Sequence, residues 1–379
     1  MTSFPRVAAL LLPSLLLPLA TATGKAGPLQ DAERSAAAQD AWSPLTPIDP
    51  AEFPRHADTR LEPFEHEELP TDVCAIEVER PDGTFGLAFV SAADGVLATK
   101  KPLLLWNEGS GANSVFTRWP QGLSGGLFRY LAATFGDRYH VVAVEKRGVD
   151  FGQRAPQGSE DLQASETYHE FATWEGRVGE ACLVLDALLA HPNVDDEHVL
   201  VLGHSEGGDV AAGIAAVREE VTHVAVLSGA GGCQWAELMM LARQQGRAQG
   251  LSEEDVEAQV AALEADYRAI MEDPLSIRKR FYGHAYRRWS SFGRRPPVES
   301  LLAAQARIYL AIGTRDQAVP IESFDHAVVE LMRHGRTDVT VRRVPGADHG
   351  FATPDDVDQN GILQALEEAV AWAREAEDG

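Results

Sequence analysis

The sequence predicts an α/β protein in which helices cover both faces of a mostly parallel central sheet. Short apolar runs alternate with helix-forming segments from Val73 to the C-terminus. Many of the runs are continuously apolar, which is typical of strands buried on both faces. The chain has 379 residues, 45% of them hydrophobic, which is enough for one large core with an insertion.

The sheet is expected to open with a hairpin and to continue in parallel pairing. Strands are predicted over residues 73–79 and 85–90, with a turn at Pro81-Asp82-Gly83. The later elements are predicted as strand 102–106, helix 127–135, strand 139–144, helix 174–189, strand 198–202, helix 209–218, strand 223–227, strand 308–312, strand 339–344 and helix 359–376. Helical crossovers connect parallel strands, so this alternation predicts parallel pairing after the hairpin.

A serine between glycines lies where strand 198–202 meets the next helix. The segment reads Gly203-His204-Ser205-Glu206-Gly207-Gly208. Glycines permit a tight strand-to-helix turn that holds the Ser205 hydroxyl out at the edge of a sheet. A serine hydroxyl is a weak nucleophile until a base takes its proton. A histidine and an orienting carboxylate are therefore expected downstream.

The last two predicted strands supply both groups. The first runs into a polar loop that carries Asp316, and the second into a loop that carries His349. The chain order Ser, Asp, His is the one that accompanies a serine elbow of this kind. We expect Ser205, Asp316 and His349 to form a catalytic triad. Asp348 is the competing acid, but a carboxylate next to the histidine rarely reaches the far ring nitrogen.

These motifs resemble those of the serine α/β-hydrolase family, from Val73 to the C-terminal helix. The resemblance rests on Gly-His-Ser-Glu-Gly-Gly at the elbow, Gly-Thr-Arg-Asp-x-x-Val-Pro at the acid and Gly-Ala-Asp-His-Gly-Phe at the histidine. It implies the α/β-hydrolase fold. It also implies an oxyanion hole made by the N–H after the nucleophile and an N–H in the loop after strand 102–106.

The matching oxyanion donors are the N–H groups of Glu206 and Ser110, with Gly109 beside Ser110. This loop starts with Asn107-Glu108 where the family more often has His-Gly, which leaves the second donor open. An ordinary glycine-serine turn is the alternative interpretation. The side chain of Glu206 has two interpretations as well. In the first, it binds a cationic substrate group such as a free amine. In the second, which is favoured, the side chain is solvated or paired with another residue and only its N–H acts.

A long helical insertion follows the sixth predicted strand, 223–227. Roughly 75 residues separate Gly232 from the acid strand, many more than a simple connection needs. Residues 233–305 are predicted as a helical cap over Ser205, with helices at 234–245 and from the cap residue Ser252 to about Met271. Such a cap excludes water and shapes the substrate pocket.

The insertion also contains the candidate substrate-binding residues. Trp235, Trp289 and Phe292 are candidates for an apolar acyl or aryl site, with packing as the alternative. Arg287 and Arg288 belong to a basic cluster and are candidates for binding a substrate carboxylate, sulfate or phosphate. The alternative is a solvated basic face, paired with the acidic helix in the same insertion.

The N-terminal segment predicts export. Arg6 precedes an apolar run and the small-residue site Ala20-Thr21-Ala22, which indicates a signal peptide over residues 1–22. The run is too short for a membrane span, so no stable membrane insertion is expected after cleavage and the protein is expected in the periplasm or outside the cell. Residues 23–58 are predicted as a flexible leader. Residues 59–232 and 306–379 are predicted as the two parts of the hydrolase core.

Composition narrows the partners. The net charge of −24 disfavours nucleic acid and anionic membranes as partners. The histidines show no metal-ligand spacing, so no metal is expected. The expected triad chemistry needs no cofactor. Cys74, Cys182 and Cys233 allow at most one internal disulfide, and the sequence does not indicate which.

The expected activity is that of an exported serine hydrolase. It would cleave a carboxylic ester of small to medium size through an acyl-enzyme. Three alternatives stay open: a serine peptidase acting on a short peptide whose amine is held by Glu206 or a carboxylate of the cap, a thioesterase or acyltransferase, and a non-catalytic binding protein with the same fold.

Overall fold

The computed structural model describes residues 47–55, 61–64, 66–155, 163–229, 231–355 and 360–375. The predicted signal peptide, residues 1–22, lies outside the described residues, as does the predicted leader up to residue 46. The first described segment contains a short 3-10 turn at Pro50–Glu52, where the Asp49 carboxylate accepts a hydrogen bond from the N–H of Ala51.

Most strands of the described chain belong to one sheet. The strands are β1 Leu61–Phe64, β2 Val73–Glu79, β3 Phe85–Ser91, β4 Lys101–Asn107, β5 Thr117–Trp119, β6 Gly122–Ser124, β7 His140–Val144, β8 Val194–His204, β9 His223–Leu227, β10 Arg280–Phe281, β11 His284–Ala285, β12 Arg307–Gly313 and β13 Val339–Val344. Nine of them form the sheet, in the order β1-β2-β3-β7-β4-β8-β9-β12-β13. The first four in this order pair antiparallel, and the pairs from β7 to β13 are parallel.

Helices cover both faces of this sheet. They are α1 Gly126–Phe135, α2 Glu166–Phe171, α3 Trp174–Leu189, α4 Glu206–Val217, α5 Gln234–Ala248, α6 Glu253–Glu272, α7 Tyr286–Gly293, α8 Pro297–Ala303, α9 Ile321–Arg333 and α10 Gly361–Glu375. Helices α3, α4, α8 and α9 pack on one face, and α1 and α10 on the other. Along β4, Leu103 and Leu105 enter the first core while Leu104 and Trp106 enter the second. The predicted fold class, a mostly parallel sheet flanked by helices, is therefore confirmed.

One strand of the sheet was absent from the sequence prediction. β1 pairs only with β2 and contains Pro63, which an edge strand tolerates because half of its backbone groups face away from the sheet. With β1 included, β9 is the seventh strand of the sheet in chain order, not the sixth.

The insertion between β9 and β12 is helical, as expected. It contains α5 to α8 and the hairpin of β10 and β11. The Ser252 hydroxyl caps α6 by accepting a hydrogen bond from the N–H of Asp255 at 3.1 Å. Helix α8 packs on α4 and buries Val298 and Leu301 in the core of the sheet. Within the described residues, none of the helices has the length and apolar character that a membrane span requires.

Candidate active site

Ser205 occupies a strained turn between β8 and α4. Its backbone has φ +57° and ψ −133°, a region that non-glycine residues rarely adopt. Its N–H donates to the carbonyl of Leu227 at 2.9 Å. A Cβ at Gly203 would lie 2.0 Å from the Gly207 carbonyl oxygen, and one at Gly207 would lie 2.1 Å from the Asn107 carbonyl oxygen. Only glycine fits at these two positions, so the local sequence enforces the turn.

Asp316 and His349 meet at the same edge of the sheet. The Nδ1 atom of His349 lies 2.8 Å and 3.0 Å from the two carboxylate oxygens of Asp316. The Asp316 side chain is fully buried, and its Oδ1 atom also accepts hydrogen bonds from the N–H groups of Ala318 and Val319 at 2.8 Å and 2.9 Å. These bonds stabilise an ionised carboxylate that fixes the imidazole ring.

The backbone of His349 is held from beneath. Its carbonyl accepts hydrogen bonds from His204 Nε2 at 2.8 Å and from the Ser228 hydroxyl at 3.0 Å. Burial lowers the pKa of His204 to about 4, so this imidazole is neutral near pH 7 and carries its proton on the nitrogen that faces the carbonyl. The His204 ring lies against that of His349, with ring centres 4.8 Å apart.

The remaining ring nitrogen of His349 is free to accept a proton. Its Nε2 atom is buried and has no hydrogen-bond partner among the described residues. The neighbouring Asp348 does not compete for the ring, because its Oδ1 atom accepts from the N–H groups of Gly350 and Ala352, both at 2.9 Å. The structure thus places Ser205, Asp316 and His349 after the ends of β8, β12 and β13.

The loop after β4 lies beside the nucleophile. A Cβ at Gly109 would lie 3.7 Å from the Cβ of Ser205. In the described part of the chain, the N–H groups of Gly109, Ser110 and Glu206 have no acceptor. Glu206 is the first residue of α4, so its N–H also has the positive end of the helix dipole behind it. Gly109 and Glu206 thus lie next to Ser205 with backbone N–H groups that have no acceptor among the described residues.

Side chains hold both ends of that loop. Trp106 Nε1 donates to the carboxylate of Glu108 at 2.7 Å, which gives this unusual loop residue a structural role. Lys146 Nζ donates to the carbonyl of Gly111 at 2.7 Å. Burial lowers the pKa of Lys146 to about 8, which keeps most of its charge at pH 7.

The side chain of Glu206 is buried in an ion-pair network. Its Oε1 atom accepts from Arg177 Nη1 at 2.7 Å, and its Oε2 atom accepts from Arg288 Nη2. Burial opposes ionisation, but the two guanidinium groups outweigh it and hold the pKa of Glu206 below its usual range. A paired side chain, the favoured interpretation, is the arrangement that the structure has.

The basic candidates of the insertion differ from each other. Arg288 is buried and pairs with Glu206, not with helix α6. Its guanidinium carbon lies 4.2 Å from the ring centre of Trp289 and 4.8 Å from that of Phe292. Arg287 is half-buried, with no side-chain partner among the described residues.

The aromatic candidates for an acyl or aryl site are nearly enclosed in this structure. Trp235, Trp289 and Phe292 are only 2%, 7% and 1% exposed. Trp235 and Trp289 pack with Phe281 in a core internal to the insertion, and Phe292 joins the core of the sheet.

Arg177 is the residue of this site that the sequence analysis missed. It is the sole basic residue of α3 and lies in the first turns of that helix. A cation there is opposed by the helix dipole, and this was the available signal of a specific partner. No group of three or more His, Cys, Asp or Glu side chains in the described chain is arranged to hold a metal ion.

Comparisons with known proteins bear on the fold. No family model and no curated protein matches the sequence. Three solved structures are similar. A puromycin-hydrolyzing peptidase of Mycobacterium tuberculosis has a TM-score of 0.51 at 15% identity, over 81% of this chain and 40% of that chain. A putative dipeptidyl aminopeptidase IV from Bacteroides ovatus has a TM-score of 0.53 at 13% identity, over 80% of this chain and 35% of that chain. The acetyl xylan esterase from Paenibacillus sp. R4 has a TM-score of 0.51 at 14% identity, over 89% of this chain and 92% of that chain.

The chain thus spans well under half the length of the two peptidases and nearly all of the esterase. Identities this low show a shared fold and nothing finer. Together with the sheet order and the serine elbow, they establish the α/β-hydrolase fold that the motifs implied.

Proposed function

We propose that the protein is a serine hydrolase that cleaves a carboxylic ester through an acyl-enzyme. One observation carries the proposal. The buried carboxylate of Asp316 holds His349 by Nδ1 and leaves Nε2 without a partner among the described residues, at the sheet edge where Ser205 occupies the strained elbow. In serine hydrolases, a histidine held by a carboxylate in this way takes the proton of the serine hydroxyl.

Each step of the proposed reaction is assigned to a residue of the candidate site. Ser205 Oγ attacks the substrate carbonyl carbon while His349 Nε2 takes the hydroxyl proton, and Asp316 stabilises the resulting imidazolium. The N–H of Glu206 and an N–H of Gly109 or Ser110 bind the oxyanion. His349 then protonates the leaving alcohol. Water, activated by the same histidine, attacks the acyl-enzyme, releases the acid and restores Ser205.

An ester is preferred over a peptide because of Glu206. A peptidase that binds a free amine through this residue needs its negative charge, and two arginines already pair with that charge. The α/β-hydrolase fold nevertheless hosts both reactions, since the similar structures are named as two peptidases and an esterase. Peptide and thioester substrates therefore belong in the test.

The test is turnover of p-nitrophenyl esters of increasing acyl length, acyl thioesters, and aminoacyl p-nitroanilides with free and blocked N-termini. We expect ester turnover by the wild-type chain, with kcat about 10⁶-fold lower in Ser205→Ala. A fluorophosphonate should label the peptide that contains Ser205. Turnover of anilides alone would make the protein a peptidase. Absence of both turnover and labelling would favour a non-catalytic binding protein and overturn the proposal.

We propose in addition that the enzyme is exported and that residues 233–305 act as its cap. The export proposal is supported by the apolar segment and the small-residue site within residues 1–22. Expression in a bacterial host should yield a mature chain that begins at Thr23 in the periplasm or the medium. The cap proposal is supported by Arg288, which reaches from α7 to the residue after the nucleophile.

A further inference from the structure

We propose that Arg177 is a positioning residue that aims the oxyanion donors, and that Glu206 and Arg288 link this alignment to the inserted segment. The proposal rests on the proposed hydrolase function. It goes further by assigning a role to a buried ion network that the reaction itself does not use.

The contacts of Arg177 converge on the oxyanion loop and the elbow. Its Nη2 atom donates to the carbonyl of Glu108 at 2.5 Å. Its Nη1 atom lies 2.7 Å from Glu206 Oε1 and makes a longer contact of 3.5 Å with the carbonyl of Gly109. The side chain is 10% exposed, so little water competes for these bonds. One guanidinium therefore spans both halves of the candidate oxyanion hole.

Through the geometry of the peptide bond, these contacts determine where the N–H groups of Gly109 and Ser110 point. In a planar trans peptide unit the C=O and the following N–H point in opposite directions. A Glu108 carbonyl held toward Arg177 directs the N–H of Gly109 away from Arg177, and the Gly109 carbonyl does the same for the N–H of Ser110. These are the two candidate donors of the loop, and neither has an acceptor among the described residues. Arg177 thus fixes the direction of both.

Glu206 connects this alignment to the elbow and the insertion. Its own N–H is the donor on the elbow side, while its carboxylate pairs with Arg177 on α3 and with Arg288 on α7. The three side chains are 7%, 10% and 6% exposed, so the charges act on one another with little screening by solvent. Displacement of α7 would remove one of the two cations that hold Glu206 in place.

A variant that tests Arg177 must keep its positive charge, because a buried Glu206 carboxylate without a balancing charge destabilises the fold. Arg177→Lys does so, but a single ammonium group cannot replace the guanidinium fork that reaches both the loop carbonyls and Glu206. We expect kcat for the best ester of the wild-type enzyme to fall roughly 10- to 100-fold with KM little changed. Affinity for a trifluoromethyl ketone, which forms an oxyanion adduct with the serine, should fall by a similar factor.

Arg80→Lys is the matched control. Arg80 pairs with Glu180, which lies on α3, the helix that carries Arg177. The side chains of Arg80 and Glu180 are about as buried as that of Arg177. Arg80→Lys weakens the pair with Glu180, so it should lower thermal stability without affecting ketone affinity. Equal ketone affinity in the wild type and Arg177→Lys would overturn the role of Arg177. If the lysine variant fails to fold, methylguanidine added to a soluble Arg177→Ala protein should restore kcat, and no restoration would overturn the same role.

The link to the insertion is tested with Arg288→Lys and the double variant. The two changes should be non-additive in kcat, because both act through the Glu206 carboxylate. Strictly additive effects would overturn the link. Failure of the wild type itself to turn over esters is a different result, since it would count against the proposed ester hydrolysis and not against the positioning of the loop.

Discussion

Two aspartates compete for His349 in the sequence, and at the residue scale their hydrogen bonds separate them. Asp316 accepts from two backbone N–H groups and from the imidazole, whereas Asp348 closes its own loop by accepting from two N–H groups within it. The first carboxylate thus orients the ring and the second shapes the turn that carries it. This difference in partners predicts a difference in function.

Asp316→Asn should lower kcat by about 10⁴ with little change in KM. The asparagine carbonyl keeps the two backbone bonds and turns its amide toward His349 Nδ1, so that nitrogen loses its proton and Nε2 gains one. A protonated Nε2 cannot accept the proton of Ser205. Steady-state kinetics with an ester substrate measures the effect.

Asp348→Asn is the control, because asparagine retains the oxygen that accepts from Gly350 and Ala352. It should keep kcat within a few-fold of the wild type. Similar losses in both variants would show that the two changes act on the shape of the loop and not on the protonation of the histidine.

The sequence pointed to Ser205, Asp316 and His349 as candidates but not to the partners of the charged groups around them. Ser205, Asp316 and His349 each follow a strand, so the motif and the topology together fix their place. The pairing of Glu206 with Arg177 and Arg288 joins residues 29 and 82 positions apart, and no periodicity specifies such a distance. Only the packing of α3 and α7 around the elbow decides it.

At the scale of elements, α3 shows how one helix carries two glycines with opposite requirements. A Cβ at Gly176 would lie 2.2 Å from the carbonyl oxygen of Phe171, at the end of α2. At Gly179 the nearest atom would be a ring carbon of Phe53 at 3.9 Å, an ordinary contact. The first glycine permits a close approach of two helices, and the second has no such constraint.

Gly179→Ala should therefore stabilise the protein by about 0.5–1 kcal/mol, because alanine loses less backbone freedom than glycine on entering a helix. Gly176→Ala should destabilise it by about 1–3 kcal/mol, because α2 and α3 must separate. Urea unfolding followed by circular dichroism measures both. A stabilising Gly176→Ala would contradict the close approach of the two helices.

Elements were predicted best where a buried apolar run ends at polar residues. The predicted bounds of α3, β9 and β13 are those of the structure. Helices α7 and α8 went unassigned because arginines, serines and prolines interrupt their apolar pattern. Pro297 at the first position of α8 was the usable signal, since proline is favoured where a helix begins.

At the scale of the whole molecule, a chain with a net charge of −24 also encloses carboxyl groups near its candidate site. Glu237 on α5 is buried and its Oε1 atom accepts from the Ser323 hydroxyl on α9 at 2.8 Å. Burial, and secondarily the nearby Asp209 carboxyl, raises the pKa of Glu237 to about 8. Burial likewise raises the pKa of Asp209 to about 7. The insertion and the core thus meet at two acids, of which Glu237 is largely protonated and Asp209 about half protonated at pH 7.

These raised pKa values make the stability of the fold depend on pH. An unfolded glutamate titrates near pH 4.3, so between about pH 4 and 8 the folded state binds more protons than the unfolded state. The free energy of unfolding therefore contains a contribution from Glu237 that is full below about pH 4 and is lost as the pH rises through 8. Asp209 adds a contribution of the same sign that ends about one pH unit lower.

Glu237→Gln should remove the larger part of this dependence. Glutamine keeps an oxygen that accepts from Ser323 and carries no charge at any pH. The stability advantage of the variant over the wild type should be about 3–4 kcal/mol larger at pH 8 than at pH 5, measured by urea unfolding at both values. The exposed Glu254→Gln on α6 removes the same charge from the acidic chain and controls for general repulsion. An equal gain for both variants at pH 8 would trace the effect to net charge, whereas a gain confined to Glu237→Gln would assign it to the buried carboxyl.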